Sequence, residues 1–275
     1  MHGVGLNGAG FAGENIGEKE SIGKGDKAGI TISPEKKLPE PITEKRLYPL
    51  VDFEGVDYAG KTTRCTRASQ VLRGKGYTVY EMHYPRNKPD LTLGRGELLK
   101  WFLGEMKEDR EKILEMLNSG IVMMDRYFYT TMAYQGELGD YQDIIEIIKS
   151  SGLIIPDVTF LVDAPPEELV TRVRDRKRDI FEENLAFQKQ IREKYLEISC
   201  TLPFEKTAWH QFNGLGEFQE NVRSAVSDIV KVVETFIKAE KMTRELEEMS
   251  RELRERHPNM DGEAEIDACG GSDFD

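Results

Sequence analysis

The stretch that most constrains this chain is Leu50-Val-Asp-Phe-Glu-Gly-Val-Asp-Tyr-Ala-Gly-Lys-Thr-Thr63. Within it, Gly55, Gly60, Lys61 and Thr62 satisfy G-x-x-x-x-G-K-[ST], the loop that cradles phosphates in nucleoside-triphosphate enzymes. Glycines let backbone N–H groups turn inward around phosphate oxygens, and the following helix offers its positive end. The expected ATP-binding residues are therefore Gly55, Val56, Asp57, Tyr58, Ala59, Gly60, Lys61, Thr62 and Thr63. The Lys61 ammonium can reach the β- and γ-phosphates, and the Thr62 hydroxyl can hold Mg²⁺.

Such a string arises by accident in about one chain of this length in a hundred, so context decides. The motif needs a buried strand before it and a helix after it. Leu50, Val51 and Phe53 supply the strand, and Cys65, Ala68 and Leu72 recur at helical spacing until Gly74 and Gly76. Two glycine strings nearer the start, Gly3-x-Gly5-x-x-Gly8 and Gly8-x-Gly10-x-x-Gly13, also fit a dinucleotide fingerprint. Neither follows a strand or opens a helix, so neither is read as a site.

The rest of the chain surrounds the motif with an alternation of short apolar runs and helical stretches, the pattern of a parallel sheet wrapped by helices. Strands are expected at Tyr77–Met82, at Ile121–Met124 running into Asp125, at Val158–Val162 and near Trp209–Phe212. Helices are expected over Leu98–Leu117, over 128–150 in two pieces broken near Gly136 and Gly139, after Pro165-Pro166-Glu167-Glu168, over about 183–199, and from about 216. The fold class is α/β, a parallel five-stranded sheet flanked by helices, occupying residues 47–238 as one domain. Residues 1–46, rich in Gly and Pro, read as a disordered tail, and residues 258–275 as an acidic, solvated one. Residues 239–257 read as a charged helix in which Ala239, Met242, Leu246, Met249 and Leu253 follow three-four spacing. That stripe suits either an extension lying on the domain or a short self-association coil.

Composition narrows the partners. A net charge of −12, from 38 basic and 50 acidic residues, makes a nucleic-acid polymer a poor partner. No apolar run is long enough for a transmembrane helix, and the N-terminus has neither a secretory nor a mitochondrial pattern. Three scattered cysteines make no disulfide framework. A cytoplasmic protein is the expectation.

Several residues outside the loop can carry chemistry. Asp125 ends the third strand, where a carboxylate can hold Mg²⁺ through water. Arg126 and Arg86 follow strand ends, the usual ligand crevice of open α/β sheets, and can bind a phosphate bidentately. The cluster Arg172, Arg174, Arg176, Lys177, Arg178 reads as a flap, over about 172–183, that brings cations onto a transferring phosphoryl group. The four histidines have no nucleophile motif near them. No His/Cys/carboxylate cluster has metal spacing, so nucleotide-bound Mg²⁺ is the metal expected.

With these residues assembled, the chain from about Tyr48 to Val232 resembles thymidylate kinases. The segments that carry the resemblance are Phe53–Thr63, Tyr84-Pro85-Arg86, Asp125-Arg126-Tyr127 with Ala133-Tyr134-Gln135-Gly136, and the Arg-rich stretch running into Asp179-Ile-Phe-Glu182. The resemblance implies phosphoryl transfer from Mg·ATP to dTMP, and a homodimer. It gives Asp57 the acceptor's 3′-hydroxyl, Arg86 and Arg126 its 5′-phosphate, Arg110 the thymine ring, and Thr130, Thr131 and Tyr134 the base and sugar pocket. Lys61, Arg126 and the lid residues Arg174, Arg176 and Arg178 would act on the transferred group, with Thr62 and Asp125 at the metal. Some members of the family carry an Arg in the loop where this chain has Tyr58, and others place catalytic arginines in the lid, the arrangement this chain resembles. One departure stands out. Where the family usually stacks an aromatic on the pyrimidine, this chain has Met106, which can still pack on a ring. The rivals are a kinase of dUMP, UMP or CMP, and a nucleotide-binding regulatory protein without turnover.

Overall fold

The computed structural model describes residues 46–90, 92–137, 140–172, 184–201, 204, 207–215 and 218–256. The proposed N-terminal tail up to residue 45, the lid arginines Arg174, Arg176 and Arg178, and the acidic C-terminal tail lie outside the described residues.

Among the described residues, five parallel strands form one sheet: β1 Leu50–Glu54, β2 Val79–His83, β3 Ile121–Asp125, β4 Val158–Asp163 and β5 Ala208–Asn213, in the order β2-β3-β1-β4-β5. The helices are α1 Lys61–Gly74, α2 Arg95–Glu108, α3 Arg110–Ser119, α4 Phe128–Gln135, α5 Gln142–Ser151, the short α6 Pro166–Leu169, α7 Leu185–Thr201 and α8 Phe218–Arg256. The expected five-stranded α/β class is therefore the observed one.

β1 sits at the centre and is buried along its whole length. Its side chains alternate between the two faces. Val51 and Phe53 join Cys65, Ala68, Leu72, Ile229 and Val233 under α1 and α8. Leu50 joins Val122, Met124 and Leu161 under the remaining helices. Because all strands run parallel, their carboxyl ends meet at one edge. Phe53 is in register with Asp125 on one side and Phe160 on the other, so the phosphate loop leaves the sheet between β3 and β4.

Three local expectations change. Strand β2 starts at Val79 rather than Tyr77, because the Tyr77 N–H is bound to Leu72 O (3.1 Å) and closes the end of α1. The helix expected over Leu98–Leu117 is two helices, α2 and α3, broken at Asp109. The Asp109 backbone turns toward the bridge region (φ −83°, ψ −3°), and its carboxylate is drawn sideways by Tyr84 and Arg86. The third change concerns α8. Its first half packs on the sheet through Val222, Val226, Ile229 and Val233. Met242, Leu246, Met249 and Leu253 are instead 62, 60, 58 and 56% exposed, so this extension does not lie on the domain. At about 100° of rotation per residue, the later stripe falls on roughly the opposite side of the helix from the face that packs.

Among the described residues, no helix is long and apolar enough to cross a membrane.

Candidate active site

The phosphate loop has the backbone that its glycines permit. Gly55 and Gly60 take φ of 136° and 96°, and Tyr58 also enters the left-handed region at 63°. Gly55 could not be larger: a Cβ there would sit 2.4 Å from Val162 O on the neighbouring strand. At the other end, α1 begins at Lys61 with no side-chain cap and no acidic residue in its first turn. Its N–H groups and positive dipole end are therefore open to an anion. Arg64 braces the loop from below: its side chain is buried and donates to Ala59 O and Gly60 O (both 3.2 Å) and to Asn221 Oδ1 (2.7 Å).

Lys61 is buried, and its ammonium donates to Val56 O at 2.7 Å. Burial is the main force on its pKa, which falls to about 8; Arg126 adds to the fall, while Asp57, Asp125 and Glu54 oppose it. The Thr62 hydroxyl donates to Asp125 Oδ2 at 2.5 Å, across from the end of β3. Burial works against the Asp125 anion, yet His83, Lys61, Thr62 and Arg126 together outweigh it and hold the pKa at about 2. Asp125 Oδ1 is buried and has no hydrogen-bond partner among the described residues. Residues 62 and 125 thus come together as the sequence suggests, an ionised carboxylate with one oxygen to spare beside a hydroxyl.

Past Asp125 the chain turns sharply. Arg126 adopts φ 73°, a conformation that costs a non-glycine residue roughly 1–3 kcal/mol and persists because its surroundings fix it. The Arg126 N–H donates to Phe53 O at 3.1 Å. Glu54 then holds the start of α4: its carboxylate accepts the N–H groups of Tyr127 (3.0 Å) and Thr130 (2.9 Å), the Thr130 hydroxyl (2.6 Å) and the Tyr195 hydroxyl (2.8 Å). A carboxylate in this place caps a helix by satisfying its free N–H groups and its dipole. The turn aims the Arg126 guanidinium back at the phosphate loop, where it ion-pairs with Asp57. Burial works against the Arg126 cation, but Asp57 more than compensates and raises its pKa. The Tyr134 ring lies 5.9 Å from that guanidinium, and Gln188 from α7 donates to Asp57 (3.4 Å).

The other expected acceptor residues have partners of their own. Arg86 follows β2, and its Nε lies 3.0 Å from Asp109 Oδ2. Glu105 secures the same loop by accepting the N–H groups of Arg86 (3.0 Å) and Asn87 (2.9 Å). Thr130 is committed to Glu54 and Tyr195, Thr131 is buried in α4, and Met106 is 2% exposed within the core. Arg110 points elsewhere: its Nε donates to Gly152 O (2.8 Å) at the end of α5, and its Nη1 pairs with Glu111.

Sequence reasoning missed Glu105, Asp109, Gln188 and Tyr195, and it quoted Glu54 within the loop motif without giving it a role. Glu54 alone carried a signal, a charged residue ending an otherwise apolar strand immediately before the first loop glycine.

The comparisons agree with this geometry. The thymidylate kinase family model matches residues 53–206, from the last turn of β1 past α7. A probable thymidylate kinase of Archaeoglobus fulgidus is 32% identical over 202 residues, covering 70% of this chain and 98% of that protein. A probable thymidylate kinase of Sulfurisphaera tokodaii is 34% identical over 167 residues, covering 54% of this chain and 81% of that protein. The thymidylate kinase of Caldanaerobacter subterraneus is 29% identical over 211 residues, covering 70% of this chain and 98% of that protein. With more than half of its length matched by the family model and the loop, strand-end carboxylate and turn arginine in place, the chain belongs to the thymidylate kinase family.

Proposed function

We propose that this protein transfers the γ-phosphoryl group of ATP to the 5′-phosphate of dTMP, giving ADP and dTDP. The observation that carries the reading is the Asp57–Arg126 pair, which joins the phosphate loop to an arginine that can hold an acceptor phosphate. Donor and acceptor would meet between Lys61 and Arg126. There an oxygen of the acceptor phosphate bonds to the γ-phosphorus, the bond to the β,γ-bridging oxygen breaks, and ADP leaves with that electron pair. The protein contributes position and charge. Lys61 would exchange Val56 O for phosphate oxygens. Arg126 would exchange Asp57 for the acceptor phosphate, which frees Asp57 to accept the sugar 3′-hydroxyl. Arg86, Thr131 and Tyr134 would line the acceptor site, Arg110 would reach the thymine ring only by giving up its bond to Gly152 O, and lid residues Arg174, Arg176 and Arg178 would supply the cation that Tyr58 does not.

Mg²⁺ fits the residues present. The buried, unpartnered Asp125 Oδ1 and the adjoining Thr62 hydroxyl make the sparse oxygen set typical of an ion shared with nucleotide phosphates. When bound, it would neutralise charge on the β- and γ-phosphate oxygens. Thr62 and Asp125 are the groups that would hold it.

A second reading, a kinase of dUMP, UMP or CMP, is favoured by Met106 in place of a stacking aromatic. A homodimer is proposed from the family resemblance, with sedimentation as its check, and a cytoplasmic setting from the three scattered cysteines. The reaction itself is tested by incubating the full chain with Mg·ATP and dTMP and quantifying products. Equal amounts of ADP and dTDP are expected, and ADP without dTDP contradicts the proposal.

A further inference from the structure

Strand β2 brings a residue to Asp125 that the reaction described above does not use. His83 and Asp125 are register partners on the adjacent parallel strands β2 and β3, and His83 Nδ1 lies 3.3 Å from Asp125 Oδ2. This is the oxygen that also accepts the Thr62 hydroxyl at 2.5 Å. Two groups therefore converge on Oδ2, while Oδ1 is buried without a partner. A cavity of about 440 Å³, lined by Thr62, His83 and Asp125 among others, lies beside these groups.

We propose that His83 is a positioning residue: it pins Asp125 Oδ2 from the β2 side so that Oδ1 is presented to the metal beside Thr62. The inference rests on the reading that Thr62 and Asp125 hold Mg²⁺. The physical logic is one of division of labour. A carboxylate can turn about its terminal bond at little cost, and the Thr62 hydroxyl must serve both Asp125 and the ion. A second contact on Oδ2 restrains the carboxylate while Thr62 offers its lone pairs to the ion. His83 faces a carboxylate oxygen, an acceptor, so its Nδ1 serves as a donor and is not itself a ligand. Groups that orient metal-binding carboxylates in this way typically cost about 10–100-fold in metal affinity when removed.

The test uses Mn²⁺ as a paramagnetic probe. Its affinity for the full chain saturated with ATP is measured by electron paramagnetic resonance for wild type, Asp125→Ala, His83→Ala and His83→Asn. An Asn side-chain amide can place a donor near the position of Nδ1. The account expects Asp125→Ala to weaken Mn²⁺ binding, His83→Ala to weaken it about tenfold, and His83→Asn to stay near wild type. Unchanged affinity in His83→Ala, with Asp125→Ala weakened, overturns the role of His83 and leaves the metal site standing. Equal loss in His83→Ala and His83→Asn overturns the donor role. Unchanged affinity in Asp125→Ala overturns the metal reading beneath both.

Discussion

Arg126 and Asp57, 69 positions apart in sequence, neutralise each other across the mouth of the phosphate loop. Each is a proposed contact to the acceptor, so each holds the place the acceptor would take on the other. An acceptor phosphate must take Arg126 from Asp57, and the acceptor sugar then satisfies the released carboxylate. Replacing Arg126 by Ala removes a charge-assisted hydrogen bond of about 1.5–3 kcal/mol. The KM for dTMP should rise about 10- to 100-fold, measured by steady-state kinetics at saturating ATP. An unchanged KM would remove Arg126 from the acceptor site.

Glu54 should be worth more to stability than its single charge suggests. Glu54→Ala leaves the N–H groups of Tyr127 and Thr130 without their acceptor, while the Tyr195 hydroxyl keeps Thr130 Oγ1 at 2.9 Å. Each buried orphan costs about 1–3 kcal/mol, so a loss of at least about 2 kcal/mol is expected in urea unfolding. Activity should fall as well, because the same carboxylate holds the turn that aims Arg126. A loss below about 1 kcal/mol would mean that water replaces Glu54 without penalty.

The Lys61 cation is most affected by burial, and its pKa falls to about 8. The free enzyme therefore loses this charge as pH rises through about 8, and kcat/KM for ATP, which reports free-enzyme ionisations, should decline there. The stability effect has the opposite sign. Holding the cation in the folded state is unfavourable below about pH 8, and that cost is relieved as pH climbs toward the unfolded value of 10.5. Lys61→Ala should lose at least about tenfold in turnover and with it the alkaline decline. A flat profile in wild type contradicts the assignment.

Deleting residues 1–44 should leave kinase activity intact. The cut spares Arg46, which donates to Asp157 (2.9 Å) at the foot of the sheet, and the family match begins only at residue 53. An inactive but folded truncation, judged by circular dichroism, would show that the N-terminal segment takes part in the reaction.

The parts legible in the sequence are those governed by short-range rules. The apolar runs at Leu50–Phe53 and Ile121–Met124 and the glycine spacing of the loop specify strands and a turn locally, and they placed Lys61, Thr62 and Asp125 correctly relative to one another. The break at Asp109 was hidden because apolar periodicity continues through it; the partners of its carboxylate, Tyr84 and Arg86, are more than twenty residues away. Tyr195 meets Glu54 across 141 positions, a pairing no local pattern encodes. The α8 stripe shows the converse, since three-four spacing predicts a helix but not which side meets the domain. His83 carried no motif, and only its register opposite Asp125 gave it meaning.

The most direct test of the account is acceptor selectivity. In a coupled ADP-release assay with Mg·ATP, kcat/KM is compared across dTMP, dUMP, UMP and CMP. The account predicts the highest value for dTMP. A preference for UMP or CMP, or ADP release that no monophosphate stimulates, would contradict it.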